Sequence, residues 1–236
     1  MSGPPRVFRD RQEAGEALAR ALAARIGRDP ALGGPGDARI VVALPRGGVP
    51  VAMEVARALH APLGLVLVRK IGLPWHSELA AAAVVDGTPP VLVRNEQVIA
   101  MSGMSEAQIE DGKAAALAEI ARRRALWLPD GIDTDVAGKI AIVVDDGIAT
   151  GATARAALTA LRRQGARGIV LAVPVAPADA RAAIGGDADL MLVLETPPDF
   201  VAVGAHYRRF DQVSDNEVKR MLEHYRSGAA GKGDKA

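Results

Sequence analysis

The sequence predicts an α/β fold, a doubly wound parallel sheet with flanking helices, on three observations. Five apolar, β-rich runs (Ile40–Leu44, Leu63–Val68, Ile140–Val144, Ile169–Val175 and Leu190–Leu194) suit strands buried on both faces of a sheet. Helical patterns recur between runs, and β-α alternation gives parallel strands joined by right-handed crossovers. Two of the runs stop abruptly at glycine loops, Pro45-Arg46-Gly47-Gly48 and Asp145-Asp146-Gly147, and a helix start follows each.

The 236 residues suffice for one such domain, expected over residues 1–226. Its core would span about 38–196. A small hood would combine the N-terminal segment with 197–226. Residues 227–236, rich in Gly, Ala and Lys, read as a disordered tail. A net charge of +1 gives no global field for nucleic acid or an acidic membrane. Absence of cysteine excludes a disulfide framework, thiolate catalysis and cysteine-based zinc sites. The N-terminus has no apolar signal-like region, and the longest apolar run, Leu79–Val85, is far shorter than a membrane span. A soluble cytoplasmic protein is expected.

In chain order, Asp10-Arg-Gln-Glu13 is a capping box, and Leu18, Leu22 and Ile26 form the stripe of a helix over about 11–27. Gly33–Asp37 is a loop into the first strand. After the Arg46-Gly47-Gly48 tip, Pro50 suits an early position in a helix running to Leu59. The strand Leu63–Val68 ends in Arg69-Lys70, cations at the strand end where open α/β sheets bind ligands. The segment Ile71–Glu78 is mixed, glycine-containing and unusually aromatic. Val84-Val85 and Val91–Val93 read as a hairpin around Asp86–Pro90. Ser105-Glu-Ala-Gln108 caps a long helix with Ile109, Ala116, Leu117 and Ile120 on one face and Glu119 placed to pair with Arg123. The triplet Arg122-Arg123-Arg124 suits a helix C-terminus. A helix at about 177–184 separates the last two strands. Ser214-x-x-Glu217 caps a final helix bearing Val218, Met221, Leu222 and Tyr225.

The most informative stretch is Lys139–Thr153: a buried-type strand, two carboxylates, then Gly147-Ile-Ala-Thr-Gly-Ala-Thr153 and an Ala/Leu helix. A helix start leaves N–H groups free to hold a phosphate, and its dipole favours the negative charge. Thr150 and Thr153 add hydroxyls, and one of them could cap the helix. Two carboxylates beside a phosphate cradle need something hydroxyl-rich or cationic between them. A sugar phosphate with vicinal hydroxyls and Mg²⁺ meets that need.

This stretch resembles the phosphoribosyl diphosphate (PRPP) signature of the type I phosphoribosyltransferases. The resemblance implies that Asp145 and Asp146 hold the ribose hydroxyls. Ala149, Thr150, Gly151, Ala152 and Thr153 would hold the 5′-phosphate. It further assigns Arg46, Gly47 and Gly48 to a diphosphate loop, which in the family often has a strained peptide bond, and Lys70 to the diphosphate. Asp145, Asp146, Arg46 and Lys70 would thus carry the catalysis. Residues 71–78 correspond to the family's mobile loop, with Trp75, His76 and Glu78 as candidates there. Phe200 would stack on the base, with Tyr207 and Phe210 next in line. The cofactor implied is Mg²⁺, held by PRPP and at most through water by Asp145 and Asp146. The partners implied are PRPP, a purine or pyrimidine base, and a second copy of the chain as a homodimer. The overall layout is most similar to bacterial phosphoribosyltransferases of undefined base. Ala149, where 6-oxopurine enzymes often carry aspartate, is closer to adenine-type members, but the mobile loop of the adenine enzymes is missing, so the base stays open.

Overall fold

The computed structural model describes residues 6–73, 76–128 and 134–230. Five parallel strands form the main sheet: β1 (Arg39–Ala43), β2 (Leu63–Leu65), β6 (Ile140–Val144), β7 (Gly168–Val175) and β8 (Leu190–Glu195). Their order is β2-β1-β6-β7-β8, as a doubly wound connection requires. The side chains of β1 and β6 alternate between two cores. Val41, Ala43, Ile142 and Val144 pack with residues of α1 (Arg11–Ala23), α2 (Gly48–Leu59), α4 (Glu106–Trp127) and α7 (Asp215–Ala230). Ile40, Val42, Ala141 and Val143 pack with α5 (Ala152–Arg163) and α6 (Ala180–Ile184). Burial on both faces explains why these runs contain no polar residue.

The first two helices cross at close range. A Cβ at Gly15 would sit 2.8 Å from the Val51 carbonyl oxygen, so no larger residue fits there without separating α1 from α2. This fixes the start of α1 relative to the sheet.

One expected strand divides. Leu63–Leu65 pairs with β1, but Val68–Leu73 (β3) leaves the sheet and pairs antiparallel with β4 (His76–Val85). With β5 (Val91–Arg94) they form a separate three-stranded sheet. The hairpin expected around Asp86–Pro90 is present as β4 and β5. The expected loop at 71–78 is instead the far end of a second hairpin, with Leu73 opposite His76. Buried Ile71 and Leu73 alternate along β3 and give this segment a face to dock, which a solvated loop lacks. Ile71 rests on α4 where a Cβ at Gly112 would come within 2.5 Å of it. Trp75 lies outside the described residues, as do the side chains of His76 and Glu78.

Other boundaries differ modestly. The first helix stops at Ala23 rather than near 27. A short helix, α3 (Glu96–Ser102), lies where the sequence pattern predicts none, although Asn95 accepts from the Val98 amide and Gly103 ends it in the left-handed region. The capping boxes at Ser105 and Ser214 form as expected. The last helix runs on to Ala230, three residues past the expected start of the tail. Arg122 and Arg123 both pair with Glu119, and Arg124 pairs with Asp86 at 2.7 Å. No helix among the described residues is long and apolar enough to cross a membrane.

Candidate active site

Strands β1 and β6 are neighbours in register, Ala43 opposite Val144. The loops that follow them therefore emerge side by side at the carboxyl edge of the sheet, where ligands of such folds bind. The first loop turns through a cis Pro45–Arg46 peptide into Gly47 and Gly48. It lies directly on the acidic pair. A Cβ on Gly47 would overlap Asp146 Oδ2 and fall 2.6 Å from its Cγ, and one on Gly48 would fall 2.7 Å from the Val144 carbonyl oxygen. Glycine is needed at both positions, at Gly47 for close approach to the Asp146 carboxylate and at Gly48 for close approach to the backbone at the end of β6.

Asp145 and Asp146 are partly buried side by side at the end of β6. Asp145 Oδ1 accepts from the Asp146 amide at 2.9 Å. Burial, and then the adjacent Asp146 charge, push the Asp145 carboxyl well above the ordinary aspartate range. Burial raises Asp146 as well, against the opposing pull of the Arg11 guanidinium. Arg11 Nε donates to Asp146 Oδ2 at 2.8 Å, with both side chains nearly enclosed. Such a pair asks for a ligand that offers hydroxyl donors or a cation.

The second loop continues to α5. Gly151 is its N-cap, in the left-handed region at φ 73°, and it brings no side-chain acceptor to the first turn. The cap is thus glycine rather than Thr150 or Thr153, and Thr153 already lies inside the helix. The orphan N–H groups of the first turn remain available for an anion. Ala149 and Thr150 are exposed at the tip of this loop, and buried Ile148 anchors it through its amide to the Val175 carbonyl at 3.0 Å.

Residues 10–204 match the family model of the phosphoribosyl transferase domain. The chain belongs to this family. Two strains of Mycobacterium tuberculosis have relatives named "Putative phosphoribosyl transferase", 43% identical over 218 residues, which is 92% of this chain and 47% of theirs. The chain spans about half the length of these curated relatives. The crystal structure of TT1426 from Thermus thermophilus is similar, with TM-score 0.75 and 37% identity over 93% of this chain and 99% of that one.

Around this phosphoribosyl transferase core the segment at Phe8 packs against residues 200–210. Phe8 and Tyr207 form a parallel bridge, their rings 5.7 Å apart, and Tyr207 lies 5.0 Å from Phe210. Phe200 packs beside this cluster, and so does Val203, which covers Gly147. The cluster gathers Phe8, Phe200 and Phe210, all three phenylalanines of the chain, beside the acidic pair. Phe200 stacks on His206 at 5.6 Å and 11°, so one face of that ring is already occupied. His206 is buried, and its Nε2 has no hydrogen-bond partner among the described residues. The Tyr207 hydroxyl donates to the Asp146 main-chain carbonyl at 2.5 Å. Tyr207→Phe should cost about 1–2 kcal/mol by stranding that acceptor. The expected drop in Tm is a few degrees by calorimetry, and an unchanged Tm would deny the bond its role.

The expected cations fall in different surroundings. Arg46 Nη1 lies 3.3 Å from Asp215 at the start of α7, and Arg122 approaches the same carboxylate at 3.5 Å. Lys70 lines an open groove of about 280 Å³ with Ala83 and Val93 of the hairpin and Ala152, Arg155 and Ala156 of α5. That groove borders the helix that follows the phosphate-type loop, and Lys70 also edges a second groove against α4 beside Gln108 and Asp111. Sequence reasoning did not assign Arg11, Tyr207 and Asp215 to the acidic pair and Arg46. Only the Arg-Asp-Arg run at 9–11 hinted at charge near the N-terminus.

Proposed function

We propose that the chain transfers a 5-phosphoribosyl group from PRPP to a nitrogenous base, a purine or pyrimidine, and releases diphosphate. The single observation behind this reading is the approach of Gly47 to Asp146. It sets an arginine-glycine loop directly on an acidic pair whose own loop leads into a helix N-terminus. Those three features match a diphosphate, a vicinal diol and a 5′-phosphate in turn.

The ribose hydroxyls donate to Asp145 and Asp146, and the N–H groups after Gly151 take the 5′-phosphate. The C1′–O bond breaks with its electron pair leaving on the diphosphate. A ring nitrogen of the base then forms the new bond to C1′ and passes its proton to the released diphosphate. Arg46 faces the developing charge once it exchanges Asp215 for diphosphate. Lys70 serves the same anion or the neighbouring phosphate. Holding the sugar at both ends supplies much of the acceleration through positioning. Phe200 offers its remaining ring face to the base.

Among the described residues no group of three His, Cys, Asp or Glu could hold a metal ion. Two adjacent carboxylates nonetheless suit a Mg²⁺ that keeps water and substrate oxygens as its other ligands. Bound with PRPP near Asp145 and Asp146, Mg²⁺ would supply charge neutralisation for the leaving diphosphate.

The test is to incubate the protein with PRPP, Mg²⁺ and a panel of bases, following diphosphate and base together. Diphosphate release that depends on one base, in equal amounts, is the expected result. Release without any base would mean a hydrolase. Saturable PRPP binding with no turnover would mean a sensor.

A further inference from the structure

Arg11 stands at the first residue of α1, far in sequence from the acidic loop, yet its guanidinium has three partners at the site. Nε donates to Asp146 Oδ2 at 2.8 Å, Nη1 donates to the Asp211 carbonyl at 2.7 Å, and the ring of Phe210 lies 3.9 Å from Cζ. The side chain of Arg11 is 12% exposed and that of Asp146 14%. The backbone behind it is equally tied. Asp10 caps the helix, Phe8 pairs with Tyr207, and Tyr207 holds the carbonyl of Asp146 itself. An arginine held on a carboxylate, a carbonyl and an aromatic face is a fixed strut; a mobile latch would not be pinned by all three.

We propose that Arg11 is a positioning residue for phosphoribosyl transfer, orienting Asp146 toward the ribose and tying the aromatic hood to the sugar site. This rests on the proposed PRPP reading of the crevice. By engaging Oδ2, Arg11 directs Oδ1 at the incoming hydroxyls and sets the plane of the carboxylate. A fork is required, because one nitrogen must reach Asp146 while another reaches the Asp211 carbonyl. Lysine carries the charge on a single nitrogen and cannot do both. Diphosphate without Mg²⁺ is assigned to Arg46 and the glycine loop and carries no sugar hydroxyl for Asp146, so its binding should not depend on Arg11.

The experiment measures calorimetric affinities of the whole chain for Mg²⁺-PRPP and for diphosphate without Mg²⁺, in wild type, Arg11→Lys and Arg11→Gln. Tm is recorded for each. The expected result is a loss of about tenfold or more in PRPP affinity in both variants, with diphosphate affinity unchanged within about twofold. Low-millimolar guanidinium ion should restore PRPP binding to Arg11→Gln, which a merely structural defect would not permit. Equal losses for both ligands would overturn the proposal, since that means a disrupted fold. Unchanged PRPP affinity would also overturn it. A gain in PRPP affinity would overturn it too, by showing that Arg11 competes with the sugar. If wild type binds diphosphate but not PRPP, the reading of the crevice fails first and this inference falls with it.

Discussion

Asp145→Asn should lose PRPP affinity by about tenfold or more while the protein stays at least as stable as wild type at neutral pH. A bond to a carboxylate is roughly twice as strong as one to a neutral amide oxygen. Removing the charge therefore costs about 1–2 kcal/mol for each sugar hydroxyl served. Stability moves the other way. Burial and Asp146 raise the Asp145 carboxyl well above its ordinary value of 3.8. The folded chain therefore holds that proton to higher pH than the unfolded chain does. Wild type accordingly loses stability as pH rises from about 4 through the raised value. Asparagine removes this loss and keeps an oxygen for the Asp146 amide. The gain in Tm should be absent near pH 4 and present at about pH 7–8. Titration calorimetry and pH-resolved melting check the two halves separately. A variant that binds PRPP as well as wild type would refute the site, and one that melts lower under mildly alkaline conditions would refute the electrostatics. Asp146→Asn is a less clean test, because it would strand the enclosed Arg11 guanidinium.

Gly47→Ala should remove most PRPP binding at a stability cost of about 1–3 kcal/mol. Its Cβ would overlap Asp146 Oδ2 and lie 2.6 Å from Cγ. A free carboxylate could swing aside, but this one is held by Arg11 at 2.8 Å. Either the ion pair breaks or the arginine-glycine loop lifts away, and both outcomes spoil the crevice. Gly36→Ala is the control, since a Cβ there meets nothing within 4 Å. Comparable PRPP affinity in the two variants would show that contact between the loops is not needed for binding.

Much of the parallel sheet was legible because its strands are buried on both faces and so consist of uninterrupted apolar runs. Strand β6 lies at Ile140–Val144, within the residues that composition alone marks. The hairpin at 84–93 was legible from turn residues between two valine runs. Less readable was the division of 63–73 between two sheets. The apolar character of Leu63–Val68 is the same on either side of the break, and only the partners differ. The short α3 was missed although Asn95 and Gly103 mark its ends, because seven residues are too few to show a periodic stripe.

The same division holds for the site. Neighbouring residues alone encode the acidic pair, the glycine loops and the helix that follows, because backbone turns and helix starts are local events. Long-range packing was needed to set Arg11 on Asp146, Tyr207 on its carbonyl and Asp215 on Arg46. Those contacts join residues 135, 61 and 169 positions apart. No local pattern encodes which distant charge will answer a buried carboxylate. That choice follows from the packing of the N-terminal segment and of residues 200–215 over the sheet, which places the partners within hydrogen-bond reach and, at the nearly enclosed Arg11–Asp146 pair, keeps out most of the water that would otherwise satisfy them.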